Sequence, residues 1–111
     1  MKSNLYQMGN TQILALQDAV TQAENAELRD LLGRAMAAGT ACVAVDLSEA
    51  PFVDSATLEL LLATAKDCTA RGGRLKLVAP SANCQEILRL TDLRSRFEVL
   101  DSVEQATRRV L

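Results

Sequence analysis

Residues 43–62 read Val43-Ala44-Val45-Asp46-Leu47-Ser48-Glu49-Ala50-Pro51-Phe52-Val53-Asp54-Ser55-Ala56-Thr57-Leu58-Glu59-Leu60-Leu61-Leu62. The stretch changes character twice. The apolar run Ala41-Cys42-Val43-Ala44-Val45 is short, unbroken and partly β-branched, the pattern of a strand buried on both faces. A polar break from Asp46 to Asp54 follows, with Pro51 excluding regular structure inside it. Leu58, Leu61, Leu62 and Ala65 then recur at i, i+3, i+4 and i+7, which places them on one face of a helix. Asp54 and Ser55 stand at the joint, where a short side-chain oxygen can accept a hydrogen bond from a first-turn amide. Ser55 is thus expected as a surface hydroxyl at the positive end of a helix.

Outward from this centre the chain alternates. Leu5 to Met8 and Thr11 to Leu16 are strand candidates joined by Gly9-Asn10, a two-residue hairpin signal. Gln17 to Gln22 is a polar loop. A helix is expected from about Ala23, with Glu24 and Glu27 in its first turns, the apolar stripe Leu28, Leu31, Leu32, Ala35 and Met36, and a stop at Gly39. Gly72-Gly73 ends the central helix. Arg74 to Ala79 reads as a strand, then a short helix places Cys84, Ile87, Leu88 and Thr91 on one face. Phe97 to Leu100 is a last strand. A final helix after Asp101 or Ser102 buries Val103, Ala106, Thr107 and Val110. Strands separated by helices need crossover connections and pair in parallel, while the opening hairpin adds an antiparallel strand. The expected fold is α/β: one domain over residues 1–111, a mixed sheet with an N-terminal β-hairpin, and about four α-helices.

Composition narrows the chemistry. Hydrophobic residues make up 49% of the 111 but aromatic ones only 3%, so the core must be aliphatic. A net charge of −2 gives no footprint for nucleic acid, and the Arg108-Arg109 pair reads as cations near a helix C-terminus. No apolar run approaches the roughly 20 residues needed to cross a bilayer. Polar residues follow Lys2 where a signal peptide needs an apolar stretch, so a cytoplasmic chain without membrane insertion is expected. Cys42, Cys68 and Cys84 are widely spaced, and histidine is absent from the chain, so the cysteines read as core residues rather than as a zinc site.

Little supports catalysis. The chain has no histidine base, no Ser-x-x-Lys pair at Ser55 and no Gly-x-Ser-x-Gly elbow, because Asp54 and Ala56 flank the serine. Gly72-Gly73 follows a helix and lacks the ending of a P-loop. Asp46, Glu49 and Asp54 read as solvated loop acids, and no cofactor or metal is expected.

The central segment resembles the signature of the STAS domain, the fold named for sulphate transporters and anti-sigma factor antagonists. That family typically shows Asp-Leu-Ser, four or five loop residues ending in an apolar one, then Asp-Ser-Ser/Thr-Gly-Leu. Here Asp46-Leu47-Ser48 is followed by Glu49-Ala50-Pro51-Phe52-Val53 and then Asp54-Ser55-Ala56-Thr57-Leu58, without a gap. Gly72 to Val78 resembles the family's next strand, Leu88 to Leu93 its third helix, and Phe97 to Ser102 its last strand and turn. The resemblance implies a stand-alone bacterial anti-anti-sigma factor. Its unphosphorylated form would bind an anti-sigma factor that is also a serine kinase of the histidine-kinase-like ATPase fold. Phosphorylation of Ser55 would block binding, and a metal-dependent serine phosphatase would restore it. Asp46, Ser48, Phe52, Asp54, Ser55, Ala56, Thr57 and Leu58 would form the partner-binding surface.

Three positions depart from the family pattern. Ala56 replaces a hydroxyl residue, which leaves Ser55 the cleaner acceptor. Thr57 replaces glycine, and so becomes a minor second acceptor. Asp92 stands where glycine is common, which puts the end of the third helix in question. A different reading is an accessory subunit of a lipid-transport ATPase complex, with the same loop as a fixed docking face. The Asp54-Ser55 pair favours the switch, because a static interface does not need the serine.

Overall fold

The computed structural model describes residues 1–39 and 41–107; Arg108, Arg109 and Val110 lie outside the described residues. The elements are β1 (Ser3–Met8), β2 (Thr11–Leu16), α1 (Asn25–Ala37), β3 (Cys42–Asp46), α2 (Ser55–Ala70), β4 (Arg74–Val78), α3 (Ala82–Leu90), β5 (Glu98–Leu100) and α4 (Val103–Thr107). Five strands form one sheet in sequence order, β1-β2-β3-β4-β5. β1 runs antiparallel to β2, and the pairs from β2 to β5 are parallel, giving the mixed α/β sheet expected from the sequence. The hairpin closes at Met8↔Thr11, with Gly9 at φ +61° supplying the left-handed residue that opens a tight two-residue turn.

Alternation along the strands divides the core in two. Leu14, Val45 and Leu77 lie in register across three strands and face the main core, which also takes Leu28 and Leu32 of α1, Leu58, Leu61 and Leu62 of α2, and Cys84 and Leu88 of α3. Ile13, Ala44 and Val78 face the other way, into a smaller cluster closed by Ala106 of α4. Each fully buried leucine contributes about 1.5–3 kcal/mol of transfer free energy, so the three-helix face carries most of the stability. Among the described residues no cysteine forms a disulfide: Cys68 and Cys84 are buried in the core, and Cys42 is half-buried. No described helix is long and apolar enough to cross a membrane.

Backbone conformation moves several expected boundaries. α1 starts at Asn25 rather than Ala23, because Thr21 and Glu24 form a capping box around a 3-10 turn at Gln22–Glu24. Ala41, at φ +57°, falls outside the ladder, which runs on to Asp46 instead; Ala79, at φ +48°, ends β4 at Val78. α2 and α3 close in the same way. Gly73 donates to Cys68 O (2.8 Å) and Gly72, at φ +83°, to Thr69 O (3.0 Å). Leu93 donates to Leu88 O (3.0 Å) and Asp92, at φ +58°, to Arg89 O (3.2 Å). These are the paired bonds of a Schellman ending, and aspartate is among the few side chains that tolerate its left-handed residue. Asp92 therefore keeps the helix end that its replacement of glycine put in question.

Two glycines give opposite expectations in denaturant melts. Gly33 lies exposed inside α1 with nothing within 4 Å of an added Cβ, so Gly33→Ala should stabilise by about 0.5–1 kcal/mol. Gly72→Ala is equally uncrowded but left-handed, and should destabilise by about 1 kcal/mol. Matching signs for the two would contradict the placement of Gly33 inside α1 and of Gly72 beyond the end of α2.

Candidate functional site

The segment between β3 and α2 is suspended from both sides. Leu47, Ala50 and Val53 point inward and are fully buried, while Ser48, Glu49, Pro51 and Phe52 face solvent. At its start Leu47 N–H donates to Val78 O (2.9 Å) and Ser48 N–H to Asp46 Oδ1 (3.0 Å). From the α3 side, Ser81 Oγ donates to Ala50 O (2.7 Å), Cys84 Sγ to the same oxygen (3.4 Å), and Asn83 Nδ2 to Pro51 O (3.2 Å). From the side of the loop between β2 and α1, Val20 forms a parallel bridge with Val53. Val20 N–H donates to Phe52 O (2.9 Å), and Asp54 N–H to Val20 O (3.3 Å). Buried loop backbone needs such partners, and here they come from two distant parts of the chain.

Asp54 caps α2 and does more than cap it. Its Oδ1 accepts from Thr57 N–H (2.8 Å), the ordinary N-cap bond, and its Oδ2 accepts from Gln22 N–H (2.9 Å). Burial pushes the Asp54 carboxyl pKa up. The hydrogen bonds from Thr57 and from the Gln22 amide together outweigh it and hold the pKa below the usual carboxylate range. Asp54 is therefore an anion at neutral pH. Ser55 is the first residue of α2, and its side chain is exposed.

The other expected site residues separate. Phe52 is 38% exposed and Ser48 is exposed, so both share the outer surface of the loop with Ser55. Ala56 is half-buried. Thr57 and Leu58 require correction, because both are 0% exposed. Thr57 Oγ1 donates to Val20 O (3.1 Å), with Asn25 Oδ1 also 3.1 Å away, so it is neither a surface contact nor an accessible acceptor. Leu58 belongs to the main core. Where the family has glycine, this chain has a side chain pointing inward, and its hydroxyl ties α2 to the β2–α1 loop. Asp46 has the strand parity of Ala44 and so faces the α4 side of the sheet. Burial raises the Tyr6 pKa most, with Asp46 and then Glu104 adding to it, which places Asp46 near Tyr6.

The three loop acids engage different partners: Asp46 the Ser48 amide, Glu49 the Gln17 side chain (3.1 Å), and Asp54 the amides of Thr57 and Gln22. The supports at Val20, Gln22 and Asn83 escaped the sequence reading, and Ser81, with Pro80, was expected to prepare the third helix but not to hold the loop. Ser81, three residues before the first residue of that helix's apolar face, carried a capping signal of its own.

The STAS domain model matches residues 2–106, and the chain belongs to the STAS domain family. Solved structures of similar fold include an anti-sigma-factor antagonist (STAS) domain protein from Planctomyces limnophilus. It is 19% identical, covers 95% of this chain and 94% of its own, and has a TM-score of 0.83. SpoIIAA, an anti-sigma factor antagonist, is similar in its unphosphorylated form, at 18% identity, 95% and 92% coverage and TM-score 0.75. The Bacillus cell fate determinant SpoIIAA in its phosphorylated form is similar at 19% identity, 95% and 96% coverage and TM-score 0.70. At these identities the likeness is one of fold.

Removing the Asp54 clamp tests the local architecture. Asp54→Ala should cost about 0.5–2 kcal/mol near neutral pH, the usual range for a lost N-cap. A depressed folded pKa means that the charged carboxylate's contribution is present above the unfolded value, about 3.9, and is lost as pH falls through the folded value. The stability gap between wild type and Asp54→Ala should therefore narrow on acidification below about pH 4. Urea melts over a pH series would show it, and a gap independent of pH would contradict the assignment.

Proposed function

We propose that this chain is an anti-sigma factor antagonist that works as a phosphorylation-controlled protein-binding switch, with Ser55 as the acceptor. One observation carries the reading: Ser55 presents an exposed hydroxyl on the first residue of a helix whose start is held by bonds from Gln22 and Thr57 to Asp54 and by the buried bond from Thr57 to Val20. The unphosphorylated surface around Ser48, Phe52 and Ser55 docks an anti-sigma factor that is a serine kinase of the histidine-kinase-like ATPase fold. A metal-dependent serine phosphatase resets the switch. The whole chain acts as a single STAS domain in the cytoplasm.

Topology supports binding over turnover. The sheet follows sequence order, and α1, α2 and α3 all contribute to the same core face. Such a sheet has no point at which the direction of winding reverses, the place where open α/β sheets form ligand crevices. Family membership and the fold shared with both forms of SpoIIAA support the serine switch further.

The geometry also supports a block that leaves the fold alone. A phosphoryl group adds about −1.5 to −2 charges at neutral pH. The α2 N-terminus favours that charge through its dipole and open amides, so the helix stays intact. Asp54, already an anion, lies next in the chain, and the added bulk stands on a surface that must lie flat against a partner. A loss of only about 1.4 kcal/mol is tenfold in affinity, and a desolvated like-charge contact exceeds that.

The test is a pull-down with wild type, Ser55→Ala and Ser55→Glu baits, followed by titration of the captured protein. Wild type and Ser55→Ala should bind an ATPase-fold kinase alike, and enzymatic phosphorylation at Ser55 should weaken binding at least tenfold. Ser55→Glu should weaken it less, since a carboxylate carries less charge. Capture of a transporter ATPase equally by all three baits would replace this reading with the accessory-subunit one.

A further inference from the structure

The two edges of the sheet are built differently. β5 has three residues, and its Glu98 faces Arg74 (3.7 Å) and Lys76 (3.8 Å). Short, charged edges discourage pairing with another chain. β1 has six residues, Ser-Asn-Leu-Tyr-Gln-Met, with no charge and no proline. It pairs with β2 without a bulge, from Ser3↔Leu16 to Met8↔Thr11, and among the described residues it has no strand on its other side. Leu5 and Tyr6 are half-buried on it, and Met8 is 36% exposed. Charge, proline and a bulge, three usual guards of an edge strand, are absent from Ser3–Met8, although Lys2 stands just before it.

Hydrogen-bond polarity says which groups are on offer. Gln17 N–H donates to Lys2 O (2.9 Å), which makes Lys2 and Gln17 a hydrogen-bonded pair in the β1–β2 register. Antiparallel ladders alternate, so Asn4, Tyr6 and Met8 also direct their peptide groups to β2. Ser3, Leu5 and Gln7 direct theirs outward.

We propose that β1 is a self-association edge, on which a second copy of this chain adds its own β1 antiparallel and extends the sheet across a twofold axis. An axis normal to the sheet keeps the same face upward in both copies, so each residue meets one of equal parity. The axis falls at Leu5, because this register uses all three outward positions. Leu5 pairs with Leu5 of the second copy, and Ser3 with its Gln7, each pair exchanging two bonds. The edge is compatible in charge with itself, since no like charges meet within the paired segment. Leu5, which borders the main core, gains cover from its equivalent. A single strand pair is smaller than the roughly 1,200 Å² of a permanent interface, so the dimer forms at high concentration and dissociates on dilution.

Sedimentation and amide exchange across a wide concentration range test this on the wild-type chain. The mass should rise toward that of a dimer. The amides of Ser3, Leu5 and Gln7 should gain at least tenfold in protection as it does, while those of Asn4, Tyr6 and Met8 stay protected throughout. Gln7→Pro removes an outward N–H that β2 does not use, and should abolish the dimer with little change in melting temperature. A chain that stays monomeric throughout, or a dimer in which the outward amides exchange as in the monomer, would overturn the proposal. Protection that appears only when a different protein is added would assign the edge to a foreign strand instead.

Discussion

Two oxygens of one carboxylate hold the site together. Asp54 Oδ1 takes the Thr57 amide at the start of α2, and Oδ2 takes the Gln22 amide, 32 residues earlier in the chain. Neither bond is unusual alone. Together they fix where the helix begins relative to the loop that leaves β2. The Thr57 hydroxyl on Val20 O and the Val20–Val53 bridge close the same junction from within. An ionised acceptor strengthens such bonds, roughly doubling a neutral one. The surface beside Ser55 inherits its rigidity from this junction rather than from the loop's own sequence.

Much of the fold was legible because it rests on local periodicity. The hairpin turn at Gly9-Asn10, the leucine spacing of α2 and the alternation of β4 each follow from a few neighbouring residues. What escaped was set by backbone conformation or by distance. Ala41 and Ala79 adopt left-handed conformations that alanine does not advertise, and they shifted the ends of β3 and β4. The capping box at Thr21 and Glu24 was visible as Thr-x-x-Glu, yet a polar loop masked it. At the site, Asp54 and Ser55 were legible from capping chemistry. Thr57 and Leu58 were misplaced because a motif gives residues an order but not a direction. Two residues along the helix, about 200° of rotation, turn Ser55 outward and Thr57 inward.

The inward turn of Thr57 gives its departure from the family pattern a physical meaning. Glycine at that position would leave the Val20 carbonyl with the 3.3 Å bond from Asp54 alone. Threonine adds a buried donor, and among the described residues no buried side-chain polar atom is left unsatisfied. The substitution therefore acts on the support of the surface, not on its chemistry. Ser55 stands outward beside an alanine rather than beside a second hydroxyl.

The site is assembled from three separate stretches: Val20 to Gln22, Ala50 to Thr57, and Ser81 to Cys84. Its bonds span more than 30 residues, and such closures follow collapse of the chain rather than precede it. In the language of folding, the surface around Ser55 rests on contacts of high contact order. A peptide holding residues 46–62 has every letter of the motif but lacks the supports at Val20, Gln22, Ser81 and Asn83. Any enzyme that read this surface would also be reading whether the chain has finished folding, and a misfolded copy would not be recognised.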